Sequence, residues 1–208
     1  IPRFKYYGLE KDPRVMSISD LERMLDSEEE LPARAGEWYH AAFIDDLAGD
    51  SDPSIFDRFM KAIERLRFVE NFQPYVFTRF LKVAGDDLER RYRNLRTNGV
   101  IFFRFDNTLP VFNYESDQWK IIFNEPLLKL DFELTPDIIV VDEELKPPVG
   151  LAEKLADLLP VETCKPYIQS ESPRFNSVLT SKAGLFAVGP SRGVFDERQI
   201  RQDVDAVE

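Results

Sequence analysis

One stretch of the sequence decides the fold, Ala41-Ala42-Phe43-Ile44-Asp45-Asp46-Leu47-Ala48-Gly49-Asp50-Ser51-Asp52-Pro53. Its first four residues form a short apolar run, which is typical of a strand buried on both faces of a sheet. An acidic loop follows, and Pro53 suits the first turn of a helix. Apolar residues then recur at helical spacing to about Phe68, namely Ile55, Phe56, Phe59, Met60, Ile63 and Leu66. The stretch therefore predicts a strand, a loop and an amphipathic helix in succession.

The same alternation continues beyond this helix. Residues 74–81 and 100–105 are aromatic and predict two further strands. Between them Asp86 and Asp87 begin a second helix, which Asn98-Gly99 ends with a left-handed cap. Strands that alternate with helices require right-handed crossovers, which produce a parallel sheet covered on both faces.

A period of two dominates the middle of the chain. Residues 109–114, 118–123 and 127–134 are separated by short polar links and predict an antiparallel three-stranded meander. Residues 137–142 form a compact apolar strand with an acidic end. Farther on we expect a helix at 151–159, a strand at 184–189 and a last helix from about Asp196. The order predicts an α/β fold, a Rossmann-like parallel sheet with a meander, plus a small C-terminal α/β segment.

We divide the chain into three regions. Residues 1–36 are a leader, irregular to residue 16, with a short helix that begins at Ser17 to Asp20. Residues 37–145 form the Rossmann-like unit, and residues 146–208 form the C-terminal segment. Since the first residue is Ile1 and not Met, we expect the chain to lack the start of its parent protein.

Composition excludes several classes of function. The 208 residues include 27 basic and 38 acidic side chains, for a net charge of −11. A chain this acidic, with no basic cluster, repels phosphate backbones, so we expect no nucleic acid partner. No apolar run approaches the ~20 residues that a membrane-spanning helix needs. We therefore expect no membrane span.

Few residues in the chain are suited to metal binding or nucleophilic catalysis. One cysteine, Cys164, and one histidine, His40, cannot form a Cys/His zinc site, an iron–sulfur cluster or an intrachain disulfide. We expect no metal and no catalytic residue, with Cys164 a passive thiol and His40 a surface or helper residue. We interpret 142–144, Asp-Glu-Glu, as a solvated strand end and not as an acid/base pair. A lone cysteine fits a reducing compartment, so we expect a cytoplasmic protein.

The loop after the first strand of the Rossmann-like unit is where such folds bind a nucleotide. A pyrophosphate needs glycines there, because only bare backbone lets phosphate oxygens reach the N–H groups. This loop has one glycine and four acids, Asp45, Asp46, Asp50 and Asp52. A carboxylate within ~5 Å of a phosphate costs on the order of a kcal/mol even after solvent screening. We therefore expect no NAD(P) binding and interpret the loop as an acid-capped helix start that only packs.

Four stretches resemble flavin-dependent pyridine nucleotide-disulfide oxidoreductases, and more narrowly the flavoprotein component of heterodisulfide reductase. Tyr7-Gly8 with residues 13–25 is similar to the segment before the family's second nucleotide-binding-like domain. Residues 92–105 are similar to its glycine, valine and aromatic strand with an arginine, and residues 136–141 to its returning strand. Thr180 with Gly184-Leu185-Phe186-Ala187-Val188-Gly189 is similar to its closing flavin motif.

The resemblance implies that the chain comprises a second Rossmann-like domain and the end of an FAD-binding domain. In the intact parent it implies FAD contacts at Gly184, Gly189, Pro190, Gly193 and Val194. It also implies two partners, the rest of the FAD domain and electron-transfer subunits. The sequence departs from the family pattern in lacking cysteines at 45–68 and a glycine-rich FAD loop, and in having Pro190 after the closing glycine.

We therefore expect a fragment of a cytoplasmic FAD-dependent electron-transfer oxidoreductase, inactive by itself. Its degenerate NAD(P) site would serve for docking partner subunits. One alternative is a protein-interaction scaffold without a redox role. Another is an NAD(P)H-dependent reductase with an atypical phosphate loop.

Overall fold

The computed structural model describes residues 9, 11–33, 35–47, 51–84, 87–106, 108–125, 130–143, 151–164, 167–172, 178–195 and 197–208. The chain divides into two compact units, unit 1 at Ile1–Glu144 and unit 2 at Leu145–Glu208. Each unit has its own set of helices and strands.

Unit 1 contains a five-stranded parallel sheet and a separate three-stranded antiparallel meander. The sheet has the order β1-β8-β2-β3-β4 and the meander the order β5-β6-β7. This confirms the predicted fold class, a Rossmann-like parallel sheet with a meander. In chain order the elements are β1 (Val15–Ser17), α1 (Ile18–Asp26), β2 (Tyr39–Ile44), α2 (Pro53–Leu66), β3 (Phe72–Thr78), α3 (Leu88–Thr97), β4 (Ile101–Arg104), β5 (Val111–Glu115), β6 (Gln118–Glu125), β7 (Leu130–Leu134) and β8 (Ile138–Val141).

The alternation of side chains along β2 explains how the sheet is covered. Phe43 points to the helical layer, where its ring lies 5.6 Å from that of Phe59 on α2. Ala42 and Ile44 point to the opposite face and join a buried cluster that includes Phe123 of the meander. Helices thus cover one face and the meander the other, which accounts for the continuous apolar run at the centre of the sheet.

An aromatic cluster joins the meander to the sheet. The ring of Phe123 on β6 lies 4.8 Å from that of Phe77 on β3 and 4.6 Å from that of Phe103 on β4. A second contact comes from the N-terminal segment, where Arg14 donates to the Asp117 carbonyl at 2.8 Å. Trp119 donates its indole N–H to Asp12 at 2.8 Å. Apolar packing and these polar contacts together hold the meander in place.

The leader contributes a strand that the sequence pattern does not predict. Residues 15–17 form β1, which pairs in parallel with β8 at the edge of the sheet. A strand of three residues is too short to show a period in the sequence, and its pairing partner lies more than a hundred residues later. The predicted helix start is confirmed, because Ser17 and Asp20 form a reciprocal capping box on α1.

Unit 2 contains α4 (Leu151–Leu158), a hairpin of β9 (Thr163–Cys164) and β10 (Tyr167–Ile168), a 3₁₀ helix (Gly189–Arg192) and α5 (Glu197–Asp205). The predicted strand at 184–189 is wrong. The segment makes only an isolated bridge from Phe186 to Leu179. Gly184 and Gly189 have φ values of +81° and +55°, which are incompatible with an extended strand.

We predict that Phe123→Ala lowers the free energy of unfolding by about 3–5 kcal/mol, because it leaves a cavity in the aromatic cluster between the meander and the sheet. Phe68→Ala is the matched control, since the Phe68 side chain is 95% exposed. We expect that control to change stability by no more than about 0.5 kcal/mol. Urea unfolding of the three proteins measures both effects, and equal losses for the two variants would contradict this packing.

Candidate functional site

The carboxyl ends of the central strands meet at one edge of the sheet, where parallel α/β folds place their ligand sites. The strand ladder continues into this edge, since the Asp45 N–H donates to the Phe77 carbonyl at 2.8 Å. Likewise the Asp142 N–H donates to the Ile44 carbonyl at 3.0 Å. These bonds bring three aspartates close to the loop beyond β3. We call Asp45, Asp46, Lys82 and Asp142 the carboxyl-edge cluster.

Lys82 lies between the first two aspartates. Its ammonium is 2.9 Å from Asp45 Oδ2, it also pairs with Asp46 Oδ1, and it donates to Ser51 Oγ at 2.8 Å. The Ser51 hydroxyl in turn donates to Asp45. The side chain of Lys82 is only 7% exposed, and both carboxylates are fully buried. The cluster is therefore an interior ion pair network and not a surface salt bridge.

Asp46 also binds the backbone of two loops. Its Oδ2 accepts the N–H groups of Arg79 and Phe80, at 3.0 and 3.2 Å. Its Oδ1 accepts the N–H of Ser51 at 3.0 Å. Asp46 itself has a φ of +64°, a left-handed conformation that aspartate adopts more readily than most residues. This carboxylate therefore connects the loop after β2 with the loop after β3.

Charges and burial shift the pKa values of these groups in different directions. Burial raises the pKa of Asp46, but hydrogen bonds from Lys82 and the loop N–H groups outweigh it, so the net shift is downward. Burial raises the pKa of Asp45 above its usual range. Burial lowers the pKa of Lys82, but its two carboxylate partners raise it by more. Lys82 is therefore charged at neutral pH.

Asp142 is not the solvated strand end expected from the sequence. The residue is 1% exposed, because it follows β8, the strand between β1 and β2. Its Oδ2 accepts the Leu47 N–H at 3.1 Å. Burial and the nearby negative charge of Asp45 raise the pKa of Asp142 to about 7. Its neighbour Glu143 points elsewhere, accepting the Ser19 N–H at 2.8 Å.

In the described part of the loop after β2, backbone N–H groups donate to the chain's own carboxylates. Three backbone N–H groups of this loop and of the start of α2 each donate to an aspartate: Leu47 to Asp142, Ser51 to Asp46, and Ser54 to Asp52. A phosphate would need those donors and would meet buried negative charge beside them. At these three positions the described residues therefore leave no free N–H group for a phosphate, while residues 48–50 of the loop lie outside the described residues.

Four of the five residues assigned to FAD lie together in unit 2. Gly189 and Pro190 begin the 3₁₀ helix, Gly193 ends it in a left-handed conformation, and the Val194 N–H donates to the Gly189 carbonyl at 3.1 Å. Gly184 lies in a separate turn, where the Leu185 N–H donates to the Lys182 carbonyl at 3.1 Å.

The contacts of these glycines are internal to unit 2. The Gly189 N–H donates to the carboxylate of Asp203 at 2.8 Å, and Arg192 pairs with the same carboxylate at 2.7 Å. A Cβ at Gly189 would lie 3.4 Å from Ile200, and one at Gly193 would lie 3.3 Å from the ring of Tyr167. These described residues do not by themselves form a flavin cradle.

The remaining candidates are isolated from any catalytic partner among the described residues. His40 lies on β2, with Nδ1 3.3 Å from the Tyr75 hydroxyl. Cys164 is an exposed free thiol on β9. The described part of the chain contains no group of three or more His, Cys, Asp or Glu placed to hold a metal ion. Within that part, no helix is long and apolar enough to cross a membrane.

Known proteins resemble the chain in fold only. No family model and no curated protein matches its sequence. A thioredoxin reductase from Lactococcus lactis matches 100% of this chain and 57% of its own, with a TM-score of 0.52 and 18% identity. A thioredoxin reductase from T. acidophilum matches 81% of this chain and 49% of its own, with a TM-score of 0.50 and 13% identity. The chain therefore has the fold of these oxidoreductases and spans about half of their length.

We predict that Lys82→Met lowers the free energy of unfolding by about 3–5 kcal/mol at neutral pH, because it leaves buried carboxylates without their cation. The loss should shrink as the pH falls, since protonation then neutralises the unpaired carboxylates. Denaturant unfolding at several pH values measures the effect, with Lys11→Met at an exposed position of the same unit as control. A pH-independent loss, or equal losses for the two variants, would contradict the buried ion pairing.

Proposed function

We propose that the chain is part of a cytoplasmic FAD-dependent electron-transfer oxidoreductase, similar to the flavoprotein component of heterodisulfide reductase. In this proposal unit 1 is the second Rossmann-like domain, and unit 2 is the closing segment of the FAD-binding domain. The fold shared with thioredoxin reductases supports the general class. The narrower assignment draws most support from the first and last of the four stretches, Tyr7-Gly8 with residues 13–25 and Thr180 with residues 184–189.

The observation that carries the proposal is the carboxyl-edge cluster. Where a nucleotide-binding domain offers free N–H groups, this chain has Asp46 and Asp142 accepting them, with Lys82 as the counter-charge. A domain that keeps the Rossmann-like sheet but fills its anion site has lost the means to take hydride from NAD(P)H. We infer that unit 1 instead docks the subunits that exchange electrons with the parent.

The flavin would be held mainly by residues of the parent outside this chain, because the described glycines of unit 2 make internal contacts. The chain's contribution would be the exposed side of the turn at Pro190. FAD would supply the electron-transfer chemistry when bound. The scaffold alternative draws support from the Gly189 N–H, whose bond to Asp203 leaves that donor satisfied without a flavin.

We predict that NADH and NADPH do not bind the purified chain with micromolar affinity, because the required N–H donors are satisfied by carboxylates. Isothermal titration calorimetry with each nucleotide, at low and high salt, tests this. Micromolar binding of either nucleotide by the wild-type chain would support the reductase alternative instead. It would overturn the interpretation of the carboxyl edge as a closed site.

We predict that the intact parent is yellow, with the absorption of bound flavin, whereas this chain alone is colourless. In the parent, Pro190→Asp should change the reduction potential or the absorption of the flavin, since it adds a negative charge at the turn assigned to the cofactor. Leu158→Asp, at a residue that is 77% exposed on α4, is the matched control. A colourless parent would support the scaffold alternative and refute the flavoprotein proposal.

A further inference from the structure

We propose that Asp142 is a buried proton-binding site, which carries a proton in the folded protein near neutral pH and releases it as the pH rises. The ligand of the site is the proton itself. The inference rests on the geometry of the carboxyl-edge cluster in unit 1, and it does not depend on whether the parent binds a flavin.

The two carboxyl oxygens of Asp142 have different surroundings. Oδ2 accepts the Leu47 N–H at 3.1 Å, whereas Oδ1 is buried and accepts no hydrogen bond from any described residue. A buried carboxylate oxygen without a donor is costly, because the charge has lost its water and gained nothing in return. A proton on Oδ1 neutralises the buried charge, which lowers this cost, and it keeps Oδ2 as the acceptor for Leu47. The geometry therefore assigns the proton to Oδ1.

The charges around Asp142 favour the same state. Asp45 and Asp46 at the end of β2 are both buried, and the ammonium of Lys82 pairs with both of them. With all three aspartates ionised, the described cluster would have three negative charges and one positive charge in a buried volume. Burial and Asp45 are the leading causes that raise the pKa of Asp142 to about 7. A proton on Asp142 reduces the excess negative charge from two to one.

Two other described charged groups near this edge, Glu143 and Arg79, make contacts outside the cluster. Glu143 lies 3.7 Å from Arg58 of α2 and accepts from Ser19 at the start of α1. The guanidinium of Arg79, after β3, lies over the ring of Phe105 at 5.8 Å. The positive charge of Lys82 lowers the pKa of Asp142, but this ammonium is already shared by two carboxylates.

The test is a carbon-13 NMR titration of the aspartate carboxyl groups in the full 208-residue chain. We expect the resonance assigned to Asp142 to titrate with a midpoint near pH 7. Asp142→Asn, which keeps an acceptor for Leu47, should abolish that titration. Asp131→Asn, at an exposed aspartate on β7, should leave it unchanged. Lys82→Met should move the midpoint to higher pH, because it removes the positive charge.

Thermal unfolding provides a second readout. The folded-state pKa lies above the usual value of 3.8, so between that value and about 7 the folded chain holds a proton that the unfolded chain has released. The contribution of Asp142 to stability is therefore present at low pH and is lost as the pH rises through this window. The Tm of the wild-type chain and of the Asp131→Asn variant should therefore fall as the pH rises through this window. The Tm of the Asp142→Asn variant should fall by less.

Three results would overturn the proposal. The first is titration of the Asp142 resonance of the wild-type chain in the ordinary aspartate range, a result that needs no variant to fold. The second is a near-neutral titration that persists in Asp142→Asn, which would assign it to another group. The third is loss of the titration in millimolar Mg²⁺, which would make the site a metal site and not a proton site.

Discussion

Backbone N–H groups at the carboxyl edge of the sheet lie wholly or partly out of water and need acceptors. In nucleotide-binding members of such folds a phosphate can serve as the acceptor at this position. Here Asp46 and Asp142 accept the N–H groups of Ser51 and Leu47, and Asp46 also accepts that of Arg79. Because carboxylates serve as the acceptors, negative charge is buried at this edge. The buried ammonium of Lys82 balances part of that charge.

With these internal acceptors, the stability of the sheet does not require a ligand at its carboxyl edge. The apolar strands, the helical layer and the meander pack independently of any ligand, as the aromatic contacts of Phe77 with Phe123 illustrate. The packing of the Rossmann-like sheet therefore does not depend on a bound ligand. This is why the fold shared with thioredoxin reductases fixes no activity for the chain. The function must be argued from the carboxyl edge itself.

Local patterns in the sequence predict the parts of the fold that depend on near neighbours. The period of α2, the two-residue alternation of the meander and the acidic loop after β2 are each visible within about fifteen residues. The role of Lys82 and the burial of Asp142 depend on contacts between distant segments, since Asp142 and Leu47 are 95 residues apart. One pattern does point to Lys82. Two adjacent aspartates after a buried strand need a nearby cation, and the exit of the neighbouring strand is where to look for it.

The attraction within a buried ion pair often fails to offset the cost of removing its charges from water. By itself, this would favour apolar side chains in place of the whole cluster. Here, however, apolar side chains would leave the buried Leu47 N–H and the partly buried Arg79 N–H without their acceptors. Asp46 alone serves Ser51, Arg79 and Phe80. A negative acceptor is therefore retained, Lys82 must accompany it, and a third carboxyl group at Asp142 is tolerated most easily with a proton. The negative charge of the carboxyl-edge cluster thus favours a group at Asp142 that responds to pH.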